Sequence, residues 1–363
     1  MNIAFYIDEM NLRGVANQTF LLAVNNKKIL KNNSIIFYNQ KNYRNKKEVI
    51  RKFKKKFTTI GISKFKDIEK FKKKYHLEFL YTQKSGNIDS WQSQKIKTLI
   101  HAVYPQKLNQ IHGYNYAYVS DWLSEKFSNK KIPVISYMVD THKTSDNLKK
   151  KLNINKNKIV LGCHGGESSF DLKFTHDAIK KVVNIRKDIV FIFLNINKFV
   201  NHPKIKFLKG TLDESFKKKF VNTCDGMIYG RSLGESFGLA CAEFAIQDKP
   251  IISYKFNRHK NHKFCMPKIN FIEYGTYNDL YKILISFNRR KKIKLHNKFK
   301  SFKPKKIMKD FKKNFLTNKK KIKFNFIDYL VNFFGFLNMM LNYLRHKLYN
   351  YYYNYFLSKI INF

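Results

Sequence analysis

Apolar positions along the first 140 residues fall into short continuous runs that alternate with stretches of helical spacing. NIAFYI (2–7) is an apolar run that ends at acidic residues, as expected of a strand buried on both faces of a parallel sheet. NQTFLLAVNNKKIL (17–30) sets Phe20, Leu21, Val24 and Leu30 at helical spacing, and SIIFYN (34–39) returns to strand. EVIRKFKKKF (48–57) predicts a helix, LEFLYT (77–82), TLIHAV (98–103) and YAYVS (116–120) predict strands, and DWLSEKF predicts a helix directly after the last of them. This βα alternation is the pattern of a doubly wound sheet.

The alternation pauses after VISYMVD (134–140), where THKTSDNLKKKLNINKNK is polar and rich in Lys and Asn. It then resumes. KIVLGCHG (158–165), IVFIFLNI (189–196), IKFLKG (205–210), GMIYGR (226–231) and PIISYKF (250–256) predict strands. FTHDAIKKVVNIR (174–186), SFKKKFVNTC (215–224), FGLACAEFAIQ (237–247) and TYNDLYKILISF (276–287) predict helices. The expected organisation is one Rossmann-like domain at 1–140, a linker at 141–157, a second Rossmann-like domain at 158–288 and a tail at 289–363. Two such units in tandem are expected to place a ligand in a cleft where their strand ends face each other.

The tail differs in kind. Residues 289–323 hold seventeen Lys or Arg against one Asp, FNFIDYLVNFFGFLNMMLNYL (324–344) is nearly uncharged, and RHKLYNYYYNYFLSKIINF (345–363) is rich in Tyr and Phe. Asp328 and several Asn residues interrupt the apolar stretch, which suits a pair of helices lying in a membrane interface better than a span. Packing of these helices back onto the two domains is the alternative, because apolar spacing does not distinguish lipid from protein.

The formal net charge of +47 admits polyanionic partners, but the lysines are spread along the whole chain beside abundant Asn, Ile, Phe and Tyr, as a biased composition would give. No helix-turn-helix or RNA-recognition motif appears, so a nucleic-acid partner is not expected. Cys163, Cys224, Cys241 and Cys265 are far apart without CxxC spacing, which fits a reducing, cytoplasmic setting. Asp8 and Glu9 interrupt the first ten residues, which does not suit a secretory signal.

The chemistry concentrates in GESFGLACAEFAIQDKPII (234–252). A predicted strand ends, a loop carries Glu235, and a helix starts near Phe237-Gly238. The unpaired amides of a first helical turn, with the helix dipole behind them, make a seat for phosphate oxygens. Gly234 and Gly238 allow a tight turn and close approach of a ligand to the backbone. Glu235 precedes that seat and Glu243 lies two turns beyond it, each a carboxylate suited to accept from hydroxyls. A hydroxylated group, a diphosphate and a ribose in a row describe a nucleotide-sugar.

GESFGLACAE resembles the E-x7-E motif of retaining GT-B glycosyltransferases of the family 4 type. KFVNTCDGMIYGRSLGESFGLACAEFAIQDKPII looks like the donor-binding half of such enzymes, and LRGVANQTFLLA and AYVSDWLSEKF look like their acceptor-side half. The resemblance covers about residues 1–287 and leaves the tail outside. It implies the GT-B fold, transfer of a sugar with retained anomeric configuration, and no cofactor or metal. It implies that Glu235 contacts the transferred sugar, Glu243 the ribose, and the backbone of Ser236, Phe237 and Gly238 the diphosphate. By the same resemblance His101, with His112 as a weaker candidate, stands near the sugar and reacting phosphate, and Arg13-Gly14 approaches donor phosphate or acceptor. Gly165 and Gly166 follow the first strand of the second domain and face the donor. The acceptor is expected to be a glycan, a lipid-linked molecule or another acceptor; the tail, outside the resemblance, either attaches to an anionic membrane surface or packs on the domains.

One departure stands out. Such enzymes carry an Arg near position 163 and a Lys soon after, to neutralise the leaving diphosphate. Here Cys163 occupies that place, the next Lys is Lys173, and Arg231 is the nearest substitute cation. A DNA-modifying glucosyltransferase, a basic nucleic-acid-binding protein and an inactive membrane-associated scaffold of the same fold remain as rival readings.

Overall fold

The computed structural model describes residues 1–289, 297–318 and 321–361. The chain divides into two compact units, Met1–Val139 with Ser301–Phe336, and Asp140–Lys300 with Leu337–Phe363. Residues 141–157 group with the second unit, and the tail is divided between the two. Within the basic stretch 289–323, residues 290–296 and 319–320 lie outside the described residues.

The first unit is built on a six-stranded parallel sheet of β1 (Asn2–Ile7), β2 (Asn33–Asn39), β3 (Thr59–Ile62), β4 (Leu77–Lys84), β5 (Lys97–Ala102) and β6 (Asn115–Tyr118). The spatial order is β3-β2-β1-β4-β5-β6, so β1 is internal and pairs in parallel with both β2 and β4. Ile3, Ala4, Phe5, Tyr6 and Ile7 are all buried, which explains why β1 reads as a continuous apolar run. Helices α1 (Gly14–Lys28), α2 (Lys47–Lys54) and α3 (Asp121–Ser128) are the chief α-helices of the crossovers. The α3 start is fixed locally: Ser120 caps it by accepting from the Leu123 amide.

The second unit repeats this plan with β7 (Ile159–His164), β8 (Ile189–Leu194), β9 (Ile205–Leu208), β10 (Gly226–Tyr229), β11 (Gly234–Glu235), β12 (Ile251–Tyr254), β13 (His259–Lys260) and β14 (Phe271–Tyr274). Six of these form a parallel sheet in the order β14-β12-β10-β7-β8-β9, while β11 and β13 pair with each other. Helices α4 (Lys173–Ile185), α5 (Glu214–Thr223), α6 (Leu239–Ile246), α7 (Asn261–Phe264) and α8 (Tyr277–Ser286) accompany them. In both units the chain builds outward from the first strand, then reverses and builds on its other side. That reversal lies between β1 and β4 in the first sheet and between β7 and β10 in the second, the type of position where open α/β sheets bind ligands.

The pattern of apolar runs does not predict β3 or β14. Each is a four-residue edge strand with three half-buried residues, so neither carries a strong apolar signature.

The tail contributes to both units. In the first, α9 (Pro304–Phe311) and the turn after it bury Ile307, Met308, Phe311 and Phe315. The Phe311 ring lies 6.5 Å from Phe5 and 5.6 Å from Tyr81, so this part of the basic stretch is core material. Then α10 (Phe326–Tyr352) begins, and Gly335 brings its backbone against α3. A Cβ at Gly335 would stand 2.3 Å from the Lys126 carbonyl oxygen and 3.0 Å from the Phe127 ring. Gly335→Ala in an exposed helix would stabilise by up to about 1 kcal/mol. Here overlap with backbone should reverse the sign, giving a net loss of about 1–3 kcal/mol. Urea unfolding of the variant checks this, and an unchanged or raised midpoint refutes it.

Candidate functional site

The reversal between β7 and β10 gathers most of the sequence-predicted residues of the second unit. β10 ends at Tyr229, and the loop after it reaches α6 through two glycines of positive φ. Gly234 (φ +71°) lies so close to β13 that a Cβ would be 2.1 Å from the His259 carbonyl oxygen. Gly238 (φ +94°) is the N-cap of α6 and offers no capping side chain. Between them, Phe237 turns into the core against Phe299 at 5.9 Å, while its carbonyl accepts from Asn261 Nδ2 at 2.7 Å. Ser236 is half-buried. The loop is therefore held on its inner side by one ring and one amide, and the first turn of α6 begins with amides that no helix carbonyl takes up.

Glu235 is half-buried at this turn, and its Oε1 accepts from Tyr229 Oη at 2.6 Å and from Arg231 Nη1 at 2.9 Å. Burial works against charge on Arg231, but Glu235 and Tyr229 outweigh it and hold the guanidinium firmly protonated. Burial, reinforced by Glu235, pushes the Tyr229 hydroxyl far up, so it remains a donor. The Arg231 carbonyl accepts from Asn257 Nδ2 at 2.6 Å, which fixes the residue in the loop.

Glu243 projects from the second turn of α6, with its Oε2 2.8 Å from Nε2 of His164, the last residue of β7. Burial raises the Glu243 pKa, yet His164 more than compensates and brings it below the ordinary carboxylate value. This contact joins the two elements on either side of the reversal. The histidine directly follows Cys163, and no spacing in the sequence couples it to Glu243.

Gly165 and Gly166 continue from His164. The Gly165 carbonyl accepts from Asn195 Nδ2 at 2.6 Å, and the Gly166 carbonyl accepts from the Ser169 amide and hydroxyl at 2.8 and 2.7 Å. Cys163 is buried, and burial raises its thiol pKa, so it provides neither a cation nor a nucleophile. Lys173 is exposed at the first position of α4. In this unit Arg231 is the cation at the loop that carries Glu235.

The first unit places its candidates differently. Arg13 is exposed as N-cap of α1, its amide bonded to Asn11 Oδ1 at 2.9 Å, and Gly14 opens that helix. His101 lies in the core of the first unit. It is fully buried, its Nδ1 pairs with Tyr81 Oη and its Nε2 with the Ile135 carbonyl, each at 2.7 Å, and the Phe315 ring lies 5.9 Å away. It is a core histidine with both nitrogens engaged by protein groups. His112 is half-buried, with Nδ1 on the Gln110 carbonyl and Nε2 3.2 Å from Lys84 Nζ. The residues that do line a cavity here, of about 470 Å³, include Tyr6, Asp8, Asn39, Glu69 and Trp91. Rings beside carboxylates and amides suit polyhydroxylated ligands, but these residues lie far apart in the sequence.

No family model matches the chain, and no curated protein matches it. Solved structures do. A glycosyltransferase from Rickettsia africae matches with a TM-score of 0.57 at 16% identity, over 97% of this chain and 98% of that one. HepE of Anabaena, in complex with UDP-glucose, matches with a TM-score of 0.58 at 11% identity, over 96% and 99%. A putative UDP-N-acetylglucosamine 2-epimerase from Listeria monocytogenes matches with a TM-score of 0.58 at 12% identity, over 89% and 99%. The chain thus has the GT-B fold of two parallel-sheet α/β domains, with a C-terminal helical tail.

The burial of His101 has a measurable consequence. Burial lowers the His101 pKa to about 4 from 6.5, so the folded state takes up its proton later than the unfolded chain. Its stabilising contribution is complete above pH 6.5 and is lost as pH falls toward 4. Between pH 7.5 and 5 the loss is about 2 kcal/mol for this group alone. Urea unfolding at both pH values should show a smaller drop in His101→Gln, whose amide does not titrate. Equal drops in the two proteins would remove this account.

Proposed function

We propose that the protein is a glycosyltransferase that takes a nucleotide-sugar donor and transfers its sugar to a glycan or lipid-linked acceptor with retention of configuration. The observation that carries this reading is the pair Glu235 and Glu243 on either side of a glycine-opened helix start, at the reversal of the second sheet. The E-x7-E spacing and the likeness to structures solved with UDP-glucose support it.

In this reading Glu243 accepts from the ribose hydroxyls, exchanging its contact with His164 for two donors on one ligand. The amides that open α6 receive the diphosphate, and Glu235 accepts from hydroxyls of the transferred sugar. The bond between the anomeric carbon and the donor oxygen breaks, and its electron pair leaves on the diphosphate. The acceptor oxygen attacks from the same face and passes its proton to the departing phosphate oxygen. Arg231 and the helix dipole stabilise the growing negative charge, so no metal is required. Glu235 orients the sugar, and two donors already engage its carboxylate.

Epimerisation of a nucleotide-sugar is the second reading, favoured by the likeness to the Listeria protein. Incubation with UDP- and GDP-sugars and candidate acceptors separates the two: a transferase yields a nucleoside diphosphate and a lengthened acceptor, an epimerase an isomeric nucleotide-sugar.

Two variants test the assignment along the ligand. Glu243→Ala should weaken binding of the nucleoside diphosphate by about tenfold to a hundredfold, the value of one charge-assisted pair of hydrogen bonds. Glu235→Ala should bind the same nucleotide within about threefold of the parent, yet turn over about a hundredfold more slowly. Calorimetry and initial rates provide both numbers. Unchanged affinity in Glu243→Ala excludes the ribose role.

A further inference from the structure

The long helix α10 is turned inside out. Its inward side carries the polar residues Asp328, Asn332, Asn342 and His346 at helical spacing, with Phe336 and Tyr349 on Phe127 and Phe174 at its edges, and Asp328 has no exposed surface. Each is spoken for. Asp328 accepts from Asn129 Nδ2 at 3.0 Å, and Asn332 Nδ2 donates to the Gln106 and Phe127 carbonyls at 2.9 and 2.7 Å. Asn342 Oδ1 accepts from Lys260 at 3.3 Å, and His346 Nδ1 lies 3.3 Å from Tyr254 Oη. The opposite stripe is apolar and open to solvent: Leu330, Phe334, Leu341, Leu344, Leu348 and Tyr351 succeed one another at intervals of three, four or seven. Phe334 is 59% exposed and Leu348 71%. A surface helix normally arranges its faces the other way round.

We propose that this apolar stripe docks on an anionic lipid bilayer, with α10 lying in the plane of the interface. The helix has 27 residues and is about 40 Å long, so the stripe is a band rather than a spot. No described helix is long and apolar enough to cross a membrane, which leaves the in-plane orientation. Exposed Tyr351, Tyr352 and Tyr355 close the band with rings suited to headgroup level.

Charge selects the occupant. From Phe311 to Phe363 the sequence has nine Lys or Arg and a single acid, Asp328, which is buried. Arg345 and Lys347 are exposed beside the stripe. The matching helix of a second copy would bring the same cations with no exposed carboxylate of its own to answer, and near its C-terminal half Asp171 and Asp279 of the body act on it, whereas anionic headgroups complement the whole band. The inference does not depend on the glycosyltransferase reading, and binding is measured without donor or acceptor.

Co-sedimentation of the full chain with vesicles of phosphatidylcholine alone, or mixed with phosphatidylglycerol, tests it. The chain should pellet with the mixed vesicles and much less with the neutral ones. Phe334→Glu/Leu341→Glu/Leu348→Glu should bind at least about tenfold more weakly, with an unchanged melting temperature because those side chains touch little protein. Arg345→Glu/Lys347→Glu should lose the preference for anionic vesicles while keeping the parent fold. A chain that stays in the supernatant with both vesicle types overturns the proposal, as does equal binding by the triple variant. Concentration-dependent dimerisation that disappears in the triple variant, without vesicle binding, assigns the stripe to a second copy instead.

Discussion

The site of the second unit depends on a backbone approach that only glycine allows. At Gly234 a side chain would overlap the His259 carbonyl oxygen, and the residue's φ of +71° is one that other residues rarely adopt. That approach lets β11 pair with β13, and the pairing sets where the loop leaves the sheet. From there everything downstream follows: Phe237 enters the core, Gly238 turns the chain, and α6 starts with its first amides uncommitted. Glu235 and Glu243 owe their positions to this turn. Their spacing in sequence would be of no consequence if the loop between strand and helix were longer or looser.

The carboxylates so placed are already occupied. Glu235 is bound by Tyr229 and Arg231, and Glu243 meets His164. Half-buried carboxylates without partners would bear a desolvation cost, which local donors offset. Those same neighbours keep the carboxylates oriented. A ligand with hydroxyl groups would thus exchange one set of donors for another rather than desolvate bare charge, a pre-organisation that favours acceptor chemistry over proton transfer.

Much of this architecture is legible in the sequence because parallel strands buried on both faces leave continuous apolar runs, as β1 and β8 do. β3 and β14 escape because edge strands need only one covered face. The loop from Gly234 to Gly238 is legible for a different reason: glycines with positive φ and a helix start leave a local signature. Long-range pairings leave none, so His164 against Glu243 and the cavity beside Trp91 emerge only from the fold. His101 shows the limit from the other side. A histidine at the end of an apolar strand fits a ligand site or a core equally well, and Tyr81, Ile135 and Phe315, distant in sequence, decide for the core.

The tail separates two properties that composition merges. Its first helix is basic in sequence yet buries Ile307, Met308 and Phe311, so a run dense in lysine still supplies core. Its last helix is apolar in sequence yet attaches through Asp328, Asn332 and Asn342. Lysine can carry its charge outward on a flexible stem while neighbouring residues pack, which is why charge density does not forbid burial in α9. Asparagine can satisfy backbone carbonyls that an apolar side chain would leave bare, as Asn332 does for Gln106 and Phe127, while Phe336 and Tyr349 add ring contacts beside it. Mean hydropathy is therefore a poor guide to which tail segment faces solvent.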